Sequence, residues 1–139
     1  MAVNTQFSIA VHIMAALGCA REVDVTSTRL ARSVNTSPSF VRRVLAKLSK
    51  TGLVLTATGK NGACWLARKP TDISLLDIYR AVEAPKAFSI HGYAARRPCV
   101  VSCNIKSSLS RVLDKTQTAM EASLKKISLA EIISDLKRK

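Results

Sequence analysis

What this chain is missing narrows it first. Between Thr26 and Lys69 there is no aspartate or glutamate, while nine lysines and arginines fall in the same stretch. That segment has no acid of its own to neutralise the charge, and a phosphate backbone is the commonest partner for such a surface. The four cysteines, Cys19, Cys64, Cys99 and Cys103, include no Cys-x-x-Cys pair, which argues against a structural zinc site. No apolar stretch reaches membrane-spanning length, and Met1 to Gln6 lacks the basic run and apolar core of a signal peptide. The expectation is a cytoplasmic protein with reduced thiols and no membrane partner, in which a disulfide would act as a switch and not as a staple. There are no paired carboxylates, no Ser/His/Asp constellation and no phosphate-cradling glycine loop with a P-loop lysine, so no enzyme is predicted.

What remains is a folded chain of 139 residues, 47% of them hydrophobic, enough for one compact domain or for a small domain with an extension. The net charge of +13 is uneven: residues 1–69 carry +8, from ten basic and two acidic residues, and the rest carry +5, from twelve and seven. The most informative stretch lies in the more basic half. Ser37 suits an N-cap, Pro38 the first helical position, and Gly52 the left-handed residue that ends a helix. Between them Phe40, Val41, Val44, Leu45 and Leu48 recur at helical spacing, while Ser39, Arg42, Arg43, Lys47 and Lys50 fall largely on other faces. A solvated face is the ordinary fate of such charges, but the acid-free surroundings favour a surface that meets something negative.

Around that helix the pattern predicts a helix over Phe7 to Leu17, a short one capped at Thr26 or Ser27, and a break at Asn35-Thr36 before Ser37. Two helices joined by a tight turn, the second basic and outward-facing, make a helix-turn-helix. Leu53–Ala57 and Ala63–Ala67 read as strands of a hairpin whose turn holds Gly59, Lys60 and Gly62, which completes a winged helix. Ser74 and Asp77 fit a capping box opening a further helix. Lys86 to Pro98 loses periodicity and reads as a loop. From about Asn104 to Ile127 an apolar stripe of Ile105, Leu109, Val112, Leu113, Ala119, Met120, Leu124 and Ile127 marks a helix of roughly 35 Å, at about 1.5 Å per residue. That is too long to cover only a small winged helix, so the stripe is expected to pack against a second copy. Ser128 then caps a last helix carrying Leu129, Ile132, Ile133 and Leu136.

Over nearly its whole length the chain resembles the IscR-type, or Rrf, family of bacterial winged-helix transcription regulators. The resemblance is carried by Phe7 to His12 in the first helix and by Ser37 to Leu45 and Leu48 to Val54 around the basic helix. Gly62 with Leu66-Ala67-Arg68 in the wing, and Ile73 to Glu83 after it, complete it. It implies a mainly α fold with a small β-hairpin: a winged helix-turn-helix domain at 1–84, a sensor loop at 85–103, and a dimerisation helix and C-terminal helix at 104–139. It also implies a homodimer on a palindromic operator in double-stranded DNA. Several members hold an iron–sulfur cluster through three cysteines in the loop before the long helix. Here only Cys99 and Cys103 occupy that loop, so the chain looks more like the branch without a conventional cluster.

Three readings of the loop cysteines stay open. They are inert small residues; or Cys103, expected where the long helix begins and with Arg96 and Arg97 close in sequence, is a reactive thiol with Cys99 as its resolving partner; or Cys99 and Cys103 join His12 as atypical ligands of an iron–sulfur cluster. No other cofactor or metal is expected. The leading function is a sequence-specific, homodimeric DNA-binding regulator, a repressor responding to redox or electrophile signals. The expected DNA-facing set is Thr28, Ser37, Ser39, Arg42 and Arg43, with Lys47, Lys50 and Lys60 on phosphates, and either Arg42 or Arg43 as the bidentate reader of guanine. The competing class is a protein-interaction module that senses a metabolite or a partner enzyme through the long loop.

Overall fold

Four hydroxyl side chains set the starts of four helices. In a computed structural model, which describes residues 4–20, 25–57 and 62–138, Thr26 Oγ1 accepts the Arg29 N–H at 3.2 Å and Ser37 Oγ that of Phe40 at 3.3 Å. Ser74 Oγ accepts the Asp77 N–H at 3.1 Å, and Ser128 Oγ that of Glu131 at 3.3 Å. In the last two pairs the serine N–H donates in turn to the acid's carboxylate, at 3.0 and 2.7 Å, so both are complete capping boxes. The second of these, at Ser128 and Glu131, has the same sequence pattern as the first.

The elements run α1 (Gln6–Cys19), β1 (Val25–Thr26), α2 (Ser27–Val34), α3 (Pro38–Lys50), β2 (Val54–Thr56), β3 (Ala63–Leu66), a 3-10 turn (Pro70–Asp72), α4 (Leu75–Ala81), α5 (Val100–Lys125) and α6 (Leu129–Lys137). The expected hairpin is part of a three-stranded antiparallel sheet ordered β1-β3-β2, with Val54 opposite Leu66, Leu55 opposite Trp65, and Val25 opposite Cys64. Its two-residue first strand pairs across a long sequence separation, which no local pattern in the chain signals. The expected wing tip, Lys60, lies outside the described residues.

The chain divides into two units. The first, Met1–Ala84 with Leu124–Lys139, holds the hydrophobic core: Ile13, Met14 and Leu17 of α1, Leu30 of α2, Val41, Val44, Leu45 and Leu48 of α3, Ile78 of α4, and Leu129 and Ile133 of α6. Each such side chain withdrawn from water contributes about 1.5–3 kcal/mol. The last helix therefore belongs with the winged unit, where the sequence grouped it with the long helix. It lies close on α1 because Gly18 has no side chain: a Cβ there would come within 2.3 Å of Ile133 Cδ1. The starts of α4 and α6 are also joined, by Leu75 N–H to Ile127 O at 2.9 Å and Leu129 N–H to Ile73 O at 2.8 Å, an antiparallel bridge between Ser74 and Ser128.

The second unit, Pro85–Ser123, is the loop and most of α5. That helix begins at Val100, four residues before the expected Asn104, and none of its residues is buried. Its early start corrects the placement of the thiols: Cys99 immediately precedes the helix and Cys103 lies inside its first turn.

Candidate nucleic-acid interface

The turn between α2 and α3 is built by one residue in the left-handed conformation. Asn35 has φ +67°, and its N–H and that of Thr36 both donate to Ala31 O, at 2.8 and 3.0 Å, which closes α2 and redirects the chain into the Ser37 cap. At the far end of α3, Gly52 has φ +78°, Leu53 N–H donates to Leu48 O at 3.0 Å and Gly52 N–H to Ser49 O at 3.0 Å. This is a Schellman closure, with buried Leu53 and Leu48 as its apolar contact. Both ends of α3 are thus fixed by the residues the sequence singled out.

Between those ends α3 is two-sided. Val41, Val44, Leu45 and Leu48 are buried, and Ser39, Arg42, Arg43, Ala46 and Lys50 are exposed. At 100° per residue Ser39, Ala46 and Lys50 run down the middle of the outer face, with Arg42 on one flank and Arg43 on the other. The Arg43 guanidinium carbon lies 5.4 Å from the centroid of the Phe40 ring. Arg42 borders an open groove of about 530 Å³ between α3 and the sheet, lined also by Ser27, Lys50, Thr56 and Cys64. Burial pushes the Cys64 thiol up from its ordinary 9.0, and the thiol donates to Gly62 O at 3.5 Å.

The remaining predicted residues are dispersed differently. Thr28 is exposed at the start of α2, and so are Arg29 and Arg32, two cations that the sequence reading counted but did not single out. The exposed periodicity of α2 was the signal that could have found them. Ser37 spends its hydroxyl on the cap, with Ser39 Oγ 3.4 Å away. Lys47 is half-buried and donates to Gln6 Oε1 at 2.9 Å, so its ammonium is tied to α1.

At the head of α5, Ser102 N–H points at Cys99 Sγ, 3.4 Å away, and Cys103 N–H donates to Cys99 O at 3.0 Å. Arg96 N–H donates to Ser102 Oγ at 2.6 Å. It is therefore Cys99, and not Cys103 as expected, whose sulfur meets an N–H at the helix start, that of Ser102. Both thiols are exposed and unpaired in a disulfide. His12 Nε2 sits 2.9 Å from Ser33 Oγ on α2.

Residues 3–135 match the Rrf2 family, described as iron-dependent transcriptional regulators. The chain belongs to the Rrf2 family. It is 33% identical over 135 residues to YwnA of Bacillus subtilis, named as a candidate HTH-type transcriptional regulator, covering 96% of this chain and 98% of that one. Among solved structures, a candidate transcriptional regulator from Lactobacillus plantarum matches at TM-score 0.82 with 27% identity, covering 96% of this chain and 90% of the other. The IscR of T. potens matches at 0.69 with 25% identity, over 98% and 88%. The Rrf2 assignment makes this chain a transcriptional regulator and not an enzyme.

An Rrf2 description that names iron calls for a test of the donor set. Among the described residues no three His, Cys, Asp or Glu side chains converge in a metal-holding group. Cys99 and Cys103 supply two sulfurs one helical turn apart, whereas an iron–sulfur cluster of the usual kind takes four ligands. The residues present do not fit a conventional cluster. Among the described residues no helix is long and apolar enough to cross a membrane.

Proposed function

We propose that this Rrf2 regulator acts as a homodimer on a palindromic operator, each copy laying α3 in the major groove, and that oxidation or electrophile attack at Cys99 and Cys103 alters its grip. One observation carries the DNA reading: the exposed face of α3 presents Ser39, Arg42, Arg43 and Lys50 while its opposite face is locked into the core. A recognition helix needs that division, because the buried half fixes the aim of the exposed half. Thr28, Arg29 and Lys50 are suited to phosphates, and Lys60, which lies outside the described residues, is proposed with them; Lys47 first has to leave Gln6. Either Arg42 or Arg43 makes the bidentate contact to guanine. Dimerisation is supported by α5, none of whose residues is fully buried within its own chain, although Leu124 near its end packs against the core. The thiol role is supported by the exposure of both sulfurs and by the N–H group at Cys99 Sγ. In an oxidised form the two thiols would lose two electrons and two protons to a peroxide and close a disulfide.

The test is fluorescence anisotropy of the purified chain with a duplex from its own upstream region, across a salt series. Affinity is expected to fall at least about tenfold between low and physiological ionic strength, since each neutralised phosphate releases counterions. A complex indifferent to salt would reject the interface. Thiol mass spectrometry after peroxide is expected to find Cys99 and Cys103 coupled with loss of two hydrogens, and an unchanged mass would remove the switch.

A further inference from the structure

The two arginines on the outer face of α3 are not equivalent. We infer that Phe40 is a positioning residue that presets Arg43 for base reading and leaves Arg42 to the phosphate backbone, an inference that rests on α3 entering the major groove. Phe40 is half-buried and packed against the hydrophobic core, so its ring is held by the body of the protein. The Arg43 guanidinium lies over that ring at 5.4 Å, within the roughly 6 Å over which a ring face attracts a cation. A planar guanidinium resting on a ring keeps its in-plane N–H donors directed outward, and those donors match the paired acceptors of a guanine edge. Because the side chain is already restricted before DNA arrives, less rotamer freedom is lost on binding.

Arg42 stands one flank away on different terms. It is exposed, no ring lies beneath it among the described residues, and it shares its groove with Lys50 and the start of α2 at Ser27. An unsupported cation beside another cation gains most from a diffuse negative surface, to which many orientations are equally good. A linear chain of positioning follows on the other flank: the core holds Phe40, Phe40 holds Arg43, and Arg43 meets the base.

The experiment enriches a randomised duplex pool with the wild-type chain, then measures Kd for the winning duplex and each of its single base-pair variants. The proteins are the wild type, Arg42→Ala, Arg43→Ala, Phe40→Leu and Phe40→Tyr, with circular dichroism melts as a folding check. Arg43→Ala is expected to erase a discrimination of about 5- to 150-fold at one base pair. Phe40→Leu is expected to lower that same discrimination by about two- to fivefold, leaving the other positions unchanged, and Phe40→Tyr to retain it. Arg42→Ala is expected to weaken all duplexes evenly and reduce the salt slope by about one. If Arg42→Ala erases the discrimination, or if a folded Phe40→Leu loses affinity evenly across all duplexes or not at all, the inference is overturned while DNA binding stands. Should Phe40→Leu fail to fold, loss of the discrimination in Phe40→Tyr or its survival in Arg43→Ala is equally fatal. A pool that enriches nothing overturns the major-groove reading and this inference together.

Discussion

The two units of the chain solve the same problem in opposite ways. In the winged unit the six described elements from α1 to β3, together with α4 and α6, commit apolar side chains to one core. In the second unit no residue of α5 is fully buried, and Val100 and Val101 at its head are 75% and 66% exposed; Leu124, where the helix has rejoined the first unit, packs against the core. Helix α5 has 26 residues and no core of its own, and helical stability in proteins comes mostly from packing an apolar face. The difference teaches that the winged unit closes its core within one copy, whereas α5 leaves most of its stripe uncovered by its own chain, which is the support for the dimer proposed above.

The largest effect should come from breaking that asymmetry on the side of α5. Replacing Leu109 and Leu113 together by Asp is expected to halve the sedimenting mass and to weaken operator binding by about a hundredfold or more, since two linked half-sites gain 10²–10⁴ over one. Analytical ultracentrifugation with anisotropy reads both, and a wild type that already sediments as one copy would end the dimer proposal. A smaller effect tests the completeness of the winged unit. Gly18→Ala drives a methyl into Ile133 and is expected to cost about 1–3 kcal/mol in urea unfolding, with partial recovery on adding Ile133→Val, which removes the crowding Cδ1. The smallest effect sharpens the contrast through the cysteines: under native alkylation Cys99 and Cys103 should label readily while Cys64, 1% exposed, stays unmodified until denaturant is added. Because burial raises the folded-state pKa of Cys64, the unfolded chain gives up this proton first. Stability should therefore decline as pH rises above about 9, and a Cys64→Val variant should lack that decline.

Much of the winged unit was legible because its signals are local. Ser37, Pro38 and Gly52 announce α3 within one stretch, the spacing of Val41, Val44, Leu45 and Leu48 shows which face is buried, and Ser74 with Asp77 announces α4. The Rrf2 resemblance rested on the same stretches. Other features depend on partners distant in sequence or on weak local cues. Strand β1 exists only by pairing with β3, and the Lys47–Gln6 bond joins residues 41 apart. The start of α5 was misplaced because Val100 and Val101 are β-branched and stay exposed, and because the sulfur of Cys99 is a poor substitute for the oxygen that usually marks a helix start. The Arg43–Phe40 pair was within reach, since residues three apart share a helix face, but the spacing alone does not say which arginine turns toward the ring.

The backbone bridge at Ser74 and Ser128 has an engineering consequence. It fastens the N-cap of α4, ten residues before Ala84, to the N-cap of α6, four residues after Leu124, so the two chain segments that flank residues 85–123 are tied to each other within the winged unit. Lengthening a segment whose ends are already clasped costs little additional entropy. A foreign segment exchanged for residues 85–123 would therefore leave the core of the winged unit, α3 included, in place.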